Sequence, residues 1–402
     1  MDTFPPTRSA ALARLKTIHP SDYARSRNFL EGAVTALSPY ITHGLVSLPE
    51  VRDAISERHR LTAQDKLVFE FGWREYYRHV WTHRGEGIFD SFHEGCLPEA
   101  AYARALPQDI RRASTGVKVI DLAVRTLYAT GYLHNHARMW LASYVVHLRK
   151  VHWHTAAQWM LAHLLDGDVA SNHLSWQWVA GTGSSKPYLF NAANVAKFAP
   201  ADWHSPGTVI DTSYEALDAV ARSPHPVQAP GPSNPSSPCT PEPALYPTPP
   251  EGIGWAAAEP GTLDGKDIWL IHPWSLAGPP ATVPHGTEVI GIALAESHSA
   301  TPWSARRWDF VTRGLQQHTH RLWWCNAADA ARALAGARSV QWQSDPHVDG
   351  ALQAMTDALA AMHFAPKTHA HAPPDLFAPV DGYCASFSRW WASTRLVMPS
   401  LH

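Results

Sequence analysis

Cysteine, long apolar runs and surplus charge of either sign are scarce in this 402-residue sequence. The four cysteines, Cys96, Cys239, Cys325 and Cys384, lie far apart and form no CxxC. That spacing excludes a disulfide frame and a cysteine-held iron–sulfur site, and it fits reduced thiols in a cytoplasmic protein. No stretch approaches the roughly 20 consecutive apolar residues of a membrane span, and the opening MDTFPPTRSAALARLK has no apolar segment of signal-peptide length. The net charge of −2 excludes a polycation, so any nucleic-acid contact must come from a local basic patch. Histidine is plentiful, at 25 residues, but His134, His136, His152 and His154 lack a third ligand type at fixed spacing, so no metal site is expected.

An apolar content of 45% and this length give room for a packed core and for two or three domains. Most of the 18 tryptophans are expected to serve packing. The most informative stretch is 115–178. Val119, Ile120, Ala123, Val124, Leu127 and Tyr128 recur at helical spacing, and Thr130-Gly131 ends that helix. A second periodic run carries Met139, Ala142, Val145, Val146 and Leu148. Threaded through these helices are Asn135, Arg138, Asp166, Asp168, Asn172, Trp176 and Trp178. Polar groups inside apolar helices cost free energy unless they pair with each other or with a ligand, and Arg138 with Asp166 is the obvious pair.

Several motifs in this part of the chain resemble the FAD-binding domain of the photolyase/cryptochrome family. They are the run Thr115-Gly116, Asp121, Arg125, Thr130-Gly131-Tyr132, His134-Asn135 and Arg138-Met139, followed by LLDGDVASN and Trp176-Gln177-Trp178. The match continues upstream through Leu37-Ser38-Pro39-Tyr40 and Glu70-Phe71-Gly72-Trp73-Arg74-Glu75-Tyr76-Tyr77-Arg78, in the family's order, and covers about the first half of the chain.

The chain in order begins with a helical stretch over 8–30 that ends at Tyr23–Asn28. A hydroxyl-bearing loop, Gly32 to Tyr40, follows. In the family this loop holds the FAD pyrophosphate; here its arginine is missing and its spacing is one residue longer. Thr35 and Ser38 could still bind an anion at a helix start, and the alternative is that Ser38-Pro39 simply caps a helix. Residues 65–82 read as a helix with Glu70 and Trp73 facing one pocket. The stretch 223–252 is Pro/Ser-rich, cannot hold helix or sheet, and reads as a semi-rigid linker. Beyond it, Asp267–His272, Glu288–Leu294, Arg321–Cys325 and Ser339–Trp342 read as strands, with helices over Trp308–Gln317 and Ala327–Ala335.

The expected fold is α plus α/β. An all-helical FAD-binding domain over 1–222 and a Pro/Ser-rich linker over 223–262 precede a small parallel α/β domain over 263–402. The ARRWDFVTRGLQQ helix and the tail PPDLFAPVDGYCASFSRWW are similar to the antenna domain that normally precedes the flavin domain, so the two domains would stand in reversed order. The alternative is an unrelated α/β domain, since this architecture is common.

The resemblance implies a light-dependent flavoprotein that splits cyclobutane pyrimidine dimers by electron transfer from excited reduced FAD. Tyr23, Thr35, Ser38, Arg138, Asp166, Asp168 and Asn172 would bind FAD. Glu70, Trp73, Asn135, Met139 and Trp178 would receive a flipped lesion. Glu70, Asn135 and Met139 would also take part in catalysis, and Asn and Met are the types that dimer-repairing members carry. Trp176 and Trp153 would be the proximal and middle members of an electron-transfer chain whose distal member is Tyr102, Trp140 or Trp159. Tyr132 and His136 depart from the family's frequent Trp and Arg, and loss of that arginine removes a positive charge near the lesion pocket. A second, antenna chromophore is expected without an identity, the partner is dimer-containing DNA in single- or double-stranded form, and no membrane is involved. The alternative function is a blue-light receptor without repair activity, in the manner of a cryptochrome.

Overall fold

The computed structural model describes residues 3–228, 239–362 and 365–397. The helical part runs α1 Arg8–Leu15, α2 Pro20–Ser26, α3 Ser38–Thr42, α4 Leu48–Ser56, α5 Lys66–Arg84, α6 Gln108–Arg111, α7 Lys118–Thr130, α8 Asn135–Ser143, α9 Trp153–His163, α10 Val169–Ala180, α11 Ala192–Phe198 and α12 Tyr214–Arg222. A π-helical turn, Tyr144–Leu148, continues α8. The single opening helix expected over 8–30 is two helices, because Pro20 starts a new one at its first position. α7 ends on Gly131 at φ +68° and α10 on Gly181 at φ +77°, the left-handed stop that glycine takes without strain.

The second part carries β1 Leu245–Tyr246, β2 Trp255–Ala256, β3 Asp267–Ile271, β4 Glu288–Leu294, β5 Trp303–Ser304, β6 Leu322–Cys325, β7 Ser339–Gln343 and β8 Lys367–His371. Its helices are α13 Ala295–His298, α14 Ala305–Leu315, α15 Ala327–Leu334, α16 Asp349–Ala360 and α17 Phe387–Ser393. The main sheet is parallel in the order β2-β6-β4-β3-β7-β8. After the edge strand β2, the chain enters the middle of the sheet at β3, winds outward through β4 to β6, and returns to the other side through β7 and β8, as doubly wound sheets do.

The Pro/Ser-rich stretch is more ordered than its composition suggests. Residues 229–238 of it lie outside the described residues. Leu245–Tyr246 pairs antiparallel with β5, and Trp255–Ala256, also inside the expected linker, adds an edge strand beside β6. Glu242 docks the segment on the helical part, accepting from the indole of Trp159 at 2.9 Å and pairing with Arg111 at 2.6 Å. Tertiary pairing has overridden a composition rich in strand breakers.

Packing does not follow the linker. One buried apolar cluster holds most of the apolar residues of α6–α12, while a second runs from Phe4 through α1–α5 and through Leu165, Ala170 and Leu174 into the α/β part. Polar links cross the same boundary. The buried His43 ring lies between Pro273 O at 2.5 Å and Leu165 O at 2.8 Å and spans the two parts. Among the described residues no helix is long and apolar enough to cross a membrane.

Candidate functional site

Helical spacing builds the site. On α5, Glu70, Trp73, Arg74 and Tyr77 fall at i, i+3, i+4 and i+7; on α8, Asn135, Arg138 and Met139 fall at i, i+3 and i+4. With Ser171, Asn172, Trp176 and Trp178 of α10, these side chains border a cavity of about 740 Å³. That volume lies within the range of small-molecule and cofactor sites. Tyr23, Thr35, Ser38, Asp166 and Asp168 line it too, so every expected cofactor- and substrate-binding residue reaches one space. Trp153 does not line it.

The two acids of the turn between α9 and α10 are held differently. Asp166 takes a two-point contact from Arg138 Nη2, at 2.9 and 2.8 Å, and a hydrogen bond from Ser38 Oγ at 2.5 Å. The Ser38 hydroxyl thus serves the acid; the N-cap of α3 is Leu37 and makes no side-chain cap. Asp168 caps α10 by accepting from Ser171 N at 2.8 Å and pairs with Arg74 at 3.2 Å and Arg78 at 3.4 Å. Burial by itself would raise the Asp168 carboxyl, but Arg74 and Arg78 outweigh it and hold the group well below the usual carboxylate range. Asn172 donates its Nδ2 to Ala157 O at 2.8 Å, which fixes the amide's orientation. Asn135 donates to Met139 Sδ at 3.6 Å.

On the outer side, Glu70 Oε1 pairs with Arg27 at 3.2 Å and Lys66 at 3.0 Å. Trp178 is 38% exposed at the rim. Trp73 is stacked on Phe387 of α17, with centroids 4.1 Å apart and planes 9° apart, so one of its faces is spent on the C-terminal segment. Burial holds the His136 imidazole neutral, at about 4, with Arg27 adding to the effect. Arg27 lines the same cavity and brings a cation close to position 136.

Trp176 and Trp153 are both buried. Trp153 donates to Ser91 Oγ at 3.0 Å and shares a small void with Tyr102 and His152. Rings lead from Trp153 to His152 at 5.8 Å and on to Tyr102 at 6.3 Å. The Trp140 and Trp159 indoles are directed to Asn194 and Glu242 instead.

A second, larger cavity of about 1230 Å³ lies between the two parts. It borders the carboxyl ends of β3 and β7, where the winding of the sheet reverses, through Trp274 and Ser344-Asp345-Pro346. Glu75 and Asp375 also face it, and burial raises both carboxyls. A polar wall separates the two spaces. Asp345 pairs with Arg78 at 3.1 Å, Arg78 continues to Asp168, and Arg74 lines both cavities. His347 accepts the Val169 N–H on Nε2 at 3.0 Å and so donates from Nδ1 to Asp345, at 2.6 Å.

Residues 67–215 match the family described as the FAD binding domain of DNA photolyase. The chain is related to the photolyase/cryptochrome family through its helical part. It is 32% identical over 213 residues to a deoxyribodipyrimidine photo-lyase of Synechococcus, covering 48% of this chain and 43% of the relative. The Escherichia coli photo-lyase is 29% identical over 210 residues, with the same two coverages, 48% and 43%. A cryptochrome DASH of Gloeobacter violaceus is 29% identical over 180 residues, 40% of this chain and 34% of the relative. The chain thus matches less than half the length of each of these curated relatives. Among solved structures, the Synechocystis cryptochrome aligns with a TM-score of 0.45 at 23% identity, over 56% of this chain and 53% of that one.

The residues present fit FAD. The cavity combines a buried, fully paired acid–guanidinium contact with a fixed amide and an apolar wall that includes Trp176. The buried Ser171 hydroxyl borders it and has no hydrogen-bond partner in the protein. An orphaned buried hydroxyl is a group that awaits a ligand. Arg27, Arg74 and Tyr77 join this lining and were not singled out from sequence; for Arg74 and Tyr77 the signal was their i+4 and i+7 spacing from Glu70.

Proposed function

We propose that this protein binds FAD non-covalently in the helical cavity and uses light to split cyclobutane pyrimidine dimers in DNA. The observation that carries this reading is the convergence on one cavity of Asp166, Arg138 and Asn172 with Glu70, Asn135, Met139, Trp73 and Trp178. FAD supplies the light-driven electron when bound. The protein's own side chains bind, orient and exclude water. Arg138 and Asp166 would fix the flavin ring system, and Asn172, held by Ala157, would present its remaining amide capacity to it. Trp178 would offer an exposed stacking face to a flipped base, and Glu70 would exchange one of its cationic partners for a base hydrogen bond. Trp176, Trp153 and Tyr102 would carry the electron that restores the reduced flavin.

In this reading residues 1–222 are the flavin unit and 263–402 an antenna-like unit. The second chromophore would sit in the interdomain cavity, one wall away from FAD across Arg74, Arg78 and Asp168. DNA carrying dimers is the partner.

Two observations favour a blue-light receptor as the second reading. Phe387 covers one face of Trp73, and Glu70 is already held by two cations. The test is a dimer-containing oligonucleotide incubated with flavin-loaded, reduced protein in light and in darkness. Repair in light alone supports the enzyme; photoreduction without repair supports the receptor.

A further inference from the structure

Arg307 is the odd charge in this molecule. It lies in the first turn of α14, in the α/β part, yet its side chain enters the helical part and is 1% exposed. Nη2 donates to Gly167 O at 2.7 Å and Nη1 to Leu161 O at 3.2 Å, and the guanidinium carbon sits 4.1 Å from the Trp303 ring centroid. The contact leaves Gly167 no room for a side chain, since a Cβ there would collide with Nη1. Arg307 therefore grips the Asp166-Gly167-Asp168 turn from behind while the two acids face the flavin cavity.

Its charge is unmatched. Among the described residues no carboxylate reaches ion-pair distance of Arg307, and its Nε has no hydrogen-bond partner. Asp166 is occupied by Arg138, and Asp168 by Arg74 and Arg78. A guanidinium stays ionised even where burial is unfavourable. Burial pulls the Arg307 guanidinium below its ordinary value, against the pull of Asp166 and Asp168. A buried cation without a partner is costly unless an anion comes close, and the cavity on the other side of this turn is where an anion would do so.

We propose that Arg307 is a positioning residue for the flavin site: it fixes the Asp166–Asp168 turn, and its unpaired charge biases the bound flavin towards its anionic reduced state. The inference rests on the FAD reading above and on nothing about the lesion.

The test compares the two-electron midpoint potential of bound flavin in the parent with Arg307→Gln, which keeps a donor and loses the charge, and Arg307→Lys, which keeps the charge. For Arg307→Gln the ratio of reduced to oxidised flavin at a fixed potential falls on the order of tenfold, a shift of about 30 mV for a two-electron couple. Arg307→Lys stays close to the parent. A Gln variant with the parent's potential, or a Lys variant shifted as far as Gln, overturns the proposal. Should Arg307→Gln not fold, Arg307→Lys still decides, because a buried ammonium loses its proton well before a guanidinium. The other titratable groups facing this position are Asp166, Asp168, His43 and His298. Burial, with Arg307 adding to it, holds both imidazoles at about 3, and Asp168 is ionised throughout, so the lysine is the group that titrates on the alkaline side. The potential of Arg307→Lys must then fall below the parent's as pH rises; a potential that tracks the parent at every pH contradicts the proposal. A parent whose spectrum carries no flavin overturns the FAD reading as well, whereas a loaded parent indifferent to Arg307→Gln overturns this inference alone.

Discussion

The two cavities share a wall and differ in how their acids are treated. In the helical cavity Asp166 and Asp168 are each matched to guanidiniums, and Asp168 is held far towards its ionised form. In the interdomain cavity Asp345 is likewise held by Arg78, but the half-buried Glu75 and the more exposed Asp375 form no ion pair among the described residues, and partial desolvation pushes both towards the neutral acid. The first space is thus pre-organised, its charges fixed before a ligand arrives. The second stores carboxyl groups whose charge state a ligand bearing N–H donors could set. Preorganisation suits a permanently held cofactor; the looser electrostatics suit an accessory one.

The largest expected effect falls on the shared wall. Asp168→Asn keeps the cap on α10 but leaves Arg74 and Arg78 without their common carboxylate. Breaking a buried pair in this way costs about 3–5 kcal/mol, so thermal unfolding should shift by many degrees and flavin content should collapse. A variant with the parent's melting temperature would remove the contrast between the two cavities.

Next comes Arg138→Ala. Asp166 would remain buried with only Ser38 as a side-chain partner. Since Arg138 is 23% exposed, a discounted loss of about 2–3 kcal/mol, or roughly 30- to 150-fold in FAD affinity by fluorescence titration, is expected. Retention of full flavin occupancy at low FAD would contradict the placement.

Trp178→Ala should weaken binding of a lesion-containing oligonucleotide by about tenfold or somewhat more, in line with one lost stacking face. Flavin photoreduction should be unchanged. Equal affinities for parent and variant would favour the receptor.

The smallest effect sharpens the comparison by pH. Glu75 has a raised carboxyl in the folded protein, so its contribution to stability is complete below the ordinary carboxylate pKa and is lost as pH rises through the raised value. Asp168 has the opposite sign: its contribution is present above the ordinary value and is lost on acidification. Glu75→Gln should therefore raise the melting temperature by about 1–2 °C at neutral pH and not at all near pH ~4. A rise of the same size at both pH values would show that charge is not the cause.

Much of the helical site was legible because it is written locally. Glu70 and Trp73, or Asn135, Arg138 and Met139, meet through helix periodicity alone, and Asp168 caps the helix that carries Asn172 and Trp176. What escaped sequence reading crosses the boundary between the two parts. Phe387 reaches Trp73, Arg307 reaches Gly167, and His347 reaches Val169 over separations of well over a hundred residues. Such contacts leave no period to read. The strands at Leu245 and Trp255 were hidden for a related reason, since their partners, β5 and β6, lie elsewhere in the chain and prolines surround them.

In the function proposed above, the helical cavity holds reduced FAD and spends light on a lesion. The most direct measurement is the yield of restored pyrimidines per absorbed blue photon, on a dimer-containing oligonucleotide, with fully loaded and reduced protein. Repair is expected in light and not in darkness, with a lower yield for Glu70→Gln at unchanged flavin photoreduction. Loaded, reduced protein that leaves every dimer intact under illumination would contradict it.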